Sequence, residues 1–531
     1  MKAALSRRGL RGPQTDEEIH DRRWWTLAVL VLSLIIIFVG NSSLNVAIPV
    51  LSRELHATTS QLQWVVAVYS LVFAGLLFTT GALGDRYGRK GALQLGLLLY
   101  LGAAGLASLS SAMPQLIASR AVMGAAAALI MPSTLSILIN VFPPDERPRA
   151  IAIWASFLGA AGAIGPTVSG WLLVHFWYGS VFLVNVPFIV VALVAGWVLV
   201  PRSKDPEEAR VDPGGALLSI VGIVALVYGL IEAPDKGWGS AATLLAFAVA
   251  TVALALFVVW EQRVDEPMLD MRYFRNPAFS TGSGGMILVF LGMYGVMFLI
   301  TQYFQLVLGY SAFGAAVRFL PLTPIMLVVA PRTPRLSDRF GAHRVVAGGM
   351  LLTALGFVLF ANLQTASSYF YVLVAIIPFA TGLALTMSPM TASIMSAVPP
   401  RRAGAGSATN DATRELGAAL GVAVLGSLAA SRFASGLSPV TSRLSAVDQR
   451  QARASLSGSL AVAHRLQEPA RAFVEHGAKV AFVDGIHLAC WLGAALTVTA
   501  AGVVYRNLPH KMGGEAELLQ PEDGLALALV E

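Results

Sequence analysis

The feature that most constrains this chain is the recurrence of apolar runs long enough to cross a lipid bilayer. A helix rises about 1.5 Å per residue, so about 20 apolar residues span the ~30 Å hydrocarbon core. Such runs stand at 26–50, 63–83, 92–110, 115–141, 150–174, 180–200, 214–233, 241–260, 281–308, 313–331, 344–362, 368–397, 405–430 and 481–505, fourteen in all. Inside lipid each backbone N–H and C=O has to be satisfied within its own segment, so the runs read as helices and the chain as an all-α polytopic membrane protein. Composition agrees, since 56% of the 531 residues are hydrophobic and 13% charged, where a soluble domain has about a quarter. Many of the 50 Gly stand within apolar runs, as do Pro49, Pro132, Pro166 and Pro378 among the 27 Pro, which points to packed, kinked spans rather than disorder. The first run follows about two dozen polar residues and is too long for a cleavable leader, so it is expected to remain as a signal anchor. A single cysteine, Cys490, lies in the last run. It rules out a disulfide framework and reads as a small buried apolar residue.

The net charge of +7 does not signal nucleic acid, because Lys and Arg are scattered among short loops instead of forming one patch with interleaved aromatics. Lys and Arg near span ends stay on the cytoplasmic side. Alternate loops carry them ("GDRYGRK", "PPDERPR", "PRSKDPEEAR", "PRLSDRFGAHR", "PPRRAGAG"), and an even span count then places both termini inside. The segment 431–480 is an Arg-bearing exception, read as an outer loop able to form a helical hairpin. "LGDRYGRK" (83–90) and "LSDRFGAH" (336–343) share Leu, Asp, Arg, an aromatic residue and Gly in register. Such a repeat is expected of a transporter built from two related halves around a midplane site. The resulting division is a tail (1–25), a six-helix half (26–200), two additional linker helices (201–262), a second six-helix half (263–505) and a tail (506–531).

The most specific local signal is "GALGDRYGRKGAL" (81–93), with Gly81, Gly84 and Gly88 around Asp85, Arg86, Arg89 and Lys90. The glycines permit a tight turn and close helix approach. Asp85 is suited to pair with an arginine or face a helix N-terminus, and the second copy contributes Asp338, Arg339 and Gly341. A gating loop explains this pattern; the plainer reading is an ordinary basic loop.

Here the sequence resembles the major facilitator superfamily, whose loop between spans two and three has the pattern G-x-L-x-D-R-x-G-R-K. Span count, "LNVAIP" in span one, "LQWVVAVYSL" (62–71), "FLVNVP" (182–187), "PMLDMRYFRNPAFS" (267–280) and "QLVLGYSAFGAA" (305–316) resemble the fourteen-span drug:proton antiporters of the EmrB/QacA type. The resemblance implies the major facilitator fold. It also implies a multi-pass exporter in the bacterial cytoplasmic membrane that exchanges inward protons for small amphipathic compounds and works as a monomer. Neither a cofactor nor a metal is expected, and any envelope partner is not legible.

"GAAGAIGPTVSGWL" (159–172) resembles the antiporter signature of span five through Gly165, Pro166 and Gly170, with Ala161 and Ser169 where that pattern has Gly. Small residues let helices pack closely and Pro166 bends the span; generic helix packing is the alternative. "SRAVMGAAAALIMP" (119–132) resembles the span-four pattern R-x-x-Q-G, with Met123 at the Gln position. Its Arg120 lies about two turns into the span, either as a coupling residue or as an arginine reaching for the interface.

In span one the family often has an acid nine residues before the proline, and here that position is Gly40. The stretch "VGNSSLNVAIP" instead offers hydrogen bonding without charge. Asn41 and Asn45 share one face, either bonding between helices or lining a substrate cavity together with Gln63, Tyr69, Gln302 and Gln305. Without the acid, neutral or weakly charged substrates are favoured over divalent cations. The proton then needs another carrier, and "SATNDATRELGAALGV" (407–422) supplies Asp411, Arg414 and Glu415 on one helical face. These titrate as a coupled set if buried and form a structural ion pair if they sit at the membrane boundary. Asp212, Glu232, Asp235, Asp484, His175 and His487 lie at span ends, where a solvated charge is the usual explanation. A membrane-embedded enzyme would need a nucleophile with its base or a metal cluster, and no such spacing stands in the sequence. An importer or facilitator on the same fold remains the nearer alternative.

Overall fold

The computed structural model describes residues 16–143, 146–203, 212–264, 267, 269–398 and 403–509. Among these, nineteen α-helices and no strands occur. The first group comprises α1 (Asp16–Glu54), α2 (Thr59–Tyr87), α3 (Arg89–Ser108), α4 (Met113–Val141), α5 (Arg147–His175), α6 (Ser180–Leu183) and α7 (Asn185–Leu199). A middle pair follows, α8 (Pro213–Lys236) and α9 (Ala241–Glu261). The last group runs through α10 (Pro277–Gln302), α11 (Ala312–Phe319), α12 (Leu322–Val329), α13 (Thr333–Phe340), α14 (Ala342–Phe360), α15 (Tyr369–Ser396), α16 (Ala403–Thr441), α17 (Ala446–Ala454), α18 (Leu456–His464) and α19 (Ala470–Asn507). Thirteen helices or joined helix segments among the described residues are long and apolar enough to cross a membrane. The 29-residue α5, over the run expected at 150–174, brings the correspondence to the fourteen predicted spans.

Local chemistry sets where the helices start and break. Thr58 and Gln61 form a reciprocal capping box at the start of α2, and Asp212 caps α8 by accepting from the Gly215 N–H at 2.9 Å. The span expected at 313–331 is broken into α11, α12 and α13, with a 3-10 turn at Ala330–Arg332. Pro321, Pro324, Pro331 and Pro334 crowd this stretch, and each removes a backbone donor. The span expected at 281–308 begins four residues earlier and ends in a π-helical turn, Tyr303–Val307. In both copies of the repeat the glycine adopts a positive φ, +121° at Gly88 and +87° at Gly341. Each ends one helix and starts the next without a break, α2 into α3 and α13 into α14. A side chain is strained in that conformation.

Helices of the first group pack among themselves, α1 on α5 and α4 on both α2 and α3, while α10, α14, α15, α16 and α19 form the second body. The two groups meet along α2 and α16. Into that seam leans α8, where Ala67 and Leu71 of α2, Val227 and Ile231 of α8, and Ala419 and Ala423 of α16 form one buried apolar cluster. Its companion α9 turns Leu244, Leu245, Val252 and Leu256 outward, as a lipid-facing helix does. The groups are also tied at the end where α1 stops and α2 begins. The Gln305 amide donates to the Val46 carbonyl at 2.9 Å, Thr59 to the Ala454 carbonyl at 3.0 Å, and Ser52 to the Ser455 hydroxyl at 3.5 Å. The last two contacts come from the region read as the loop 431–480. There α16 continues to Thr441 and α19 starts at Ala470, so what lies between is the short hairpin α17–α18, seated through buried Ala452, Leu456 and Val462.

Candidate substrate and coupling site

The site is built around a charge inside the bundle. Gly124 brings α4 so close to α2 that a Cβ there would collide with the Tyr69 backbone carbonyl. One turn earlier on α4, Arg120 therefore lies directly over α2 and is 0% exposed. Its Nε donates to the Val65 carbonyl at 3.2 Å, its Nη2 donates to Asn41 Oδ1 at 2.9 Å, and its guanidinium lies 4.3 Å above the centre of the Tyr69 ring. The side chain turns inward rather than toward an interface. A buried guanidinium is tolerable only when such contacts replace lost water, and removing one partner of a buried charge typically costs about 3–5 kcal/mol. Among the described residues the Nη1 nitrogen has no hydrogen-bond partner.

The opposing charge comes from the second group. Glu415 on α16 is buried, with the Ser70 hydroxyl of α2 beside it and Arg120 within electrostatic range. Its Oε2 has no partner. Asp411 lies one turn earlier and Arg414 directly precedes Glu415; both are less enclosed, the Asp411 side chain 16% and the Arg414 side chain 25% exposed, and they lie 3.8 Å apart. The helix that carries them begins at Ala403, and its membrane-crossing stretch begins at Ala408, ahead of all three residues. Arg120, Asp411, Arg414 and Glu415 sum to zero when both carboxylates are ionised.

The uncharged candidates divide. Asn41 joins the site, bonded to Arg120, with the Tyr294 phenol of α10 near it. Tyr69 supplies the ring under Arg120 and keeps its own hydroxyl unpartnered. Gln63 and Gln305 instead tie the groups together, Gln63 by donating to the Val422 carbonyl at 3.1 Å. Gln302 is buried and donates to Phe298 of its own helix. Asn45 is buried and its Oδ1 has no partner. All six are under 10% exposed, so they are packed inside the bundle rather than set in an open wall.

At Gly40 the geometry explains the missing acid. A Cβ placed there would fall on the Tyr100 hydroxyl, which reaches over from α3 and donates to the Ile36 carbonyl at 3.5 Å. The volume an acid would occupy is filled by a phenol.

The antiporter-like segment of α5 grips α1 and α11. The Ser43 hydroxyl donates to the Gly165 carbonyl at 3.0 Å, and Ser169 donates back to the Ser43 carbonyl at 2.9 Å. A side chain at Gly165 would strike Ser42, and one at Gly170 would meet the Phe313 backbone of α11 at 2.8 Å. Pro166 is buried between them. In the gating loop, Gly81 and Gly84 face α4 near Pro132 and Ser133. Lys90 caps the C-terminal end of α7, donating at 2.7 Å to both the Trp197 and Val200 carbonyls, and the Arg89 N–H donates to the Ser203 carbonyl at 3.0 Å. Arg86 lies over the Tyr87 ring and, in the second copy, Arg339 lies over Phe340. Asp338 is exposed, and the side chain of Asp85 lies outside the described part of the structure. Two of the weaker acids have partners at the start of α2: Glu232 accepts from the Trp64 indole at 3.1 Å and Asp235 from Ser60 at 2.8 Å.

Sequence reasoning missed Ser70, Tyr100, Tyr294, Thr391 and Asn410. Each is a polar or phenolic residue in an apolar run, a signal that is present but shared with many residues that bond only to their own helix, as Ser33 does with Val29.

The family described as Major Facilitator Superfamily matches residues 30–422. The multidrug efflux pump LfrA of Mycolicibacterium smegmatis is 33% identical over 496 residues, covering 93% of this chain and 98% of the relative. The tetracenomycin C resistance and export protein of Streptomyces glaucescens is 33% identical over 415 residues, covering 78% and 77%. The methyl viologen resistance protein SmvA of Salmonella typhimurium is 33% identical over 473 residues, covering 87% and 93%. Among solved structures, a bacterial homologue of the human lysosomal transporter Spinster, inward-facing and unoccupied, aligns with a TM-score of 0.64 at 18% identity over 92% of this chain and 98% of that one. A D-xylose–proton symporter aligns at 0.62 and 13% identity, covering 92% and 99%. The chain is thus a multi-span membrane transporter, not an enzyme, and it belongs to the major facilitator superfamily, whose fold it shares.

Proposed function

We propose that this protein is a secondary active efflux transporter that moves small amphipathic compounds out of the cell in exchange for protons by alternating access. The observation that carries the reading is the placement of Arg120 and Glu415, two buried opposite charges from the two helix groups, within electrostatic range of each other but not in contact across the seam that alternating access has to open and close. A carboxylate in that place attracts Arg120 when ionised and ceases to when protonated, so its proton state changes how strongly the groups hold together. The relatives support the efflux direction, since those named above carry efflux, export or resistance in their names. The ties at the α1–α2 end act in this reading as the closed outer gate, with both termini cytoplasmic and one chain sufficient in the bacterial cell membrane.

A facilitator without proton exchange is the second reading, favoured by one observation: Tyr100 fills the place of the usual span-one acid. Energised everted vesicles separate the two. Uptake of an amphipathic dye that collapses with nigericin supports proton exchange, and uptake that equilibrates regardless of the pH gradient supports facilitation.

A further inference from the structure

At the start of the α16 span, three side chains of α16 and one of α15 close a ring of three hydrogen bonds and one ion pair, and two of its members, Thr391 and Asn410, are used by neither the motifs nor the coupling reading. Thr391, on α15, donates through Oγ1 to Asn410 Oδ1 at 3.1 Å. Asn410 donates through Nδ2 to Asp411 Oδ1 at 3.4 Å. The same oxygen lies 3.8 Å from Arg414 Nη1, and Arg414 Nη2 donates to Thr391 Oγ1 at 3.4 Å, which closes the ring. The Thr391 hydroxyl is thus used once as donor and once as acceptor, and a neighbouring helix fixes which way the guanidinium points.

That direction matters because Arg414 stands between two acids. It precedes Glu415 in sequence and attracts both carboxylates. The ring commits it to Asp411. Among the described residues Glu415 has no ion pair within 4 Å; the other groups that face it are Arg120 from α4, Tyr69 from α2, Tyr294 from α10 and Asp411 on its own helix. From this juxtaposition we propose that Thr391 and Asn410 are positioning residues that hold Arg414 on Asp411, so that Glu415 is left as the carboxylate that exchanges its proton. The proposal rests on the proton-coupling reading for its purpose, but the clamp itself is a statement about geometry and is tested separately.

The test uses the full-length protein in detergent and in everted vesicles, with Thr391→Val, which keeps the shape and removes the hydroxyl, and Thr391→Ser, which restores it. Dicyclohexylcarbodiimide reacts with protonated carboxyl groups in apolar surroundings, and peptide mass spectrometry reports which residue it modifies. Wild type is expected to be labelled at Glu415 rather than Asp411, with labelling that falls as pH rises. In Thr391→Val the freed guanidinium turns toward Glu415, and the labelling midpoint moves to lower pH by about 1 to 3 units, the usual effect of an opposite charge at close range. In Thr391→Ser it returns to the wild-type value. Labelling at Asp411 in wild type, or an identical midpoint in wild type and Thr391→Val, overturns the proposal. A midpoint that moves in Thr391→Val and returns in Thr391→Ser, in vesicles whose dye uptake ignores nigericin, leaves the clamp standing and removes the proton-exchange reading.

Discussion

Among single residues, the centre of the molecule depends on geometry that conservative substitutions do not preserve. Lysine at position 120 keeps the charge but has neither the planar fork that reaches both Val65 and Asn41 nor the face that stacks on Tyr69. Arg120→Lys is expected to lower dye transport by at least about tenfold while the protein still elutes as a folded species, a loss of roughly 1.4 kcal/mol or more in the transport step; near-normal transport would refute the assignment. Gly40→Asp does not supply a coupling acid, because its Cβ collides with the Tyr100 hydroxyl. It should destabilise by about 1–3 kcal/mol as overpacking does, seen as a lower melting temperature that adding Tyr100→Phe partly restores. Glu415→Gln removes the titrating oxygen and should leave residual transport that no longer responds to the pH gradient. Arg120 and Glu415 are legible in the sequence, because a charge inside an apolar run stands out. Their approach to one another is not, since nearly three hundred residues separate them and only the packing of α2 against α16 brings them near. Nor is it legible that Tyr100 occupies the space beside Gly40, because an aromatic in an apolar run has no mark that says which neighbour it covers.

Among the helices, spans are readable wherever an apolar run is continuous. Their bounds escape a reading of the sequence where proline chemistry divides a run, as between Ala312 and Phe340, or where a helix outlasts its apolar stretch, as α16 does. Outlasting the membrane is what lets α16 carry the α17–α18 hairpin across to the other helix group. Ser52→Cys with Ser455→Cys should therefore form a disulfide under oxidation, and the native Cys490 is buried and out of competition. Cross-linking is expected to halt transport and dithiothreitol to restore it; a cross-linked protein that transports at full speed would show that this end stays closed throughout the cycle. The paired glycines make a separate prediction. Gly88→Ala and Gly341→Ala each force a side chain into a positive-φ conformation and should each cost about 1–2 kcal/mol of stability, measured by thermal unfolding. Similar costs at both positions are expected because the two turns join their helices in the same way.

Across the full assembly of helices, the two groups share one seam, and α8 packs into it against both α2 and α16. On the α16 flank the buried contact of α8 is made by the small side chains Ala419 and Ala423, whereas on the α2 flank Leu71 joins Ala67, and Trp64 and Ser60 donate hydrogen bonds to Glu232 and Asp235. Small side chains leave few knobs to unlock on that flank, so α16 can slide past α8 while α8 stays fixed on α2. Mechanically, α8 is then a bearing: it carries lateral load while offering little resistance to rotation. Roughening a bearing slows a machine without altering what it grips. Ala419→Leu should accordingly reduce the maximal rate of dye transport while leaving the half-saturating dye concentration unchanged, and an equal loss in affinity would show that α8 helps to shape the binding site instead.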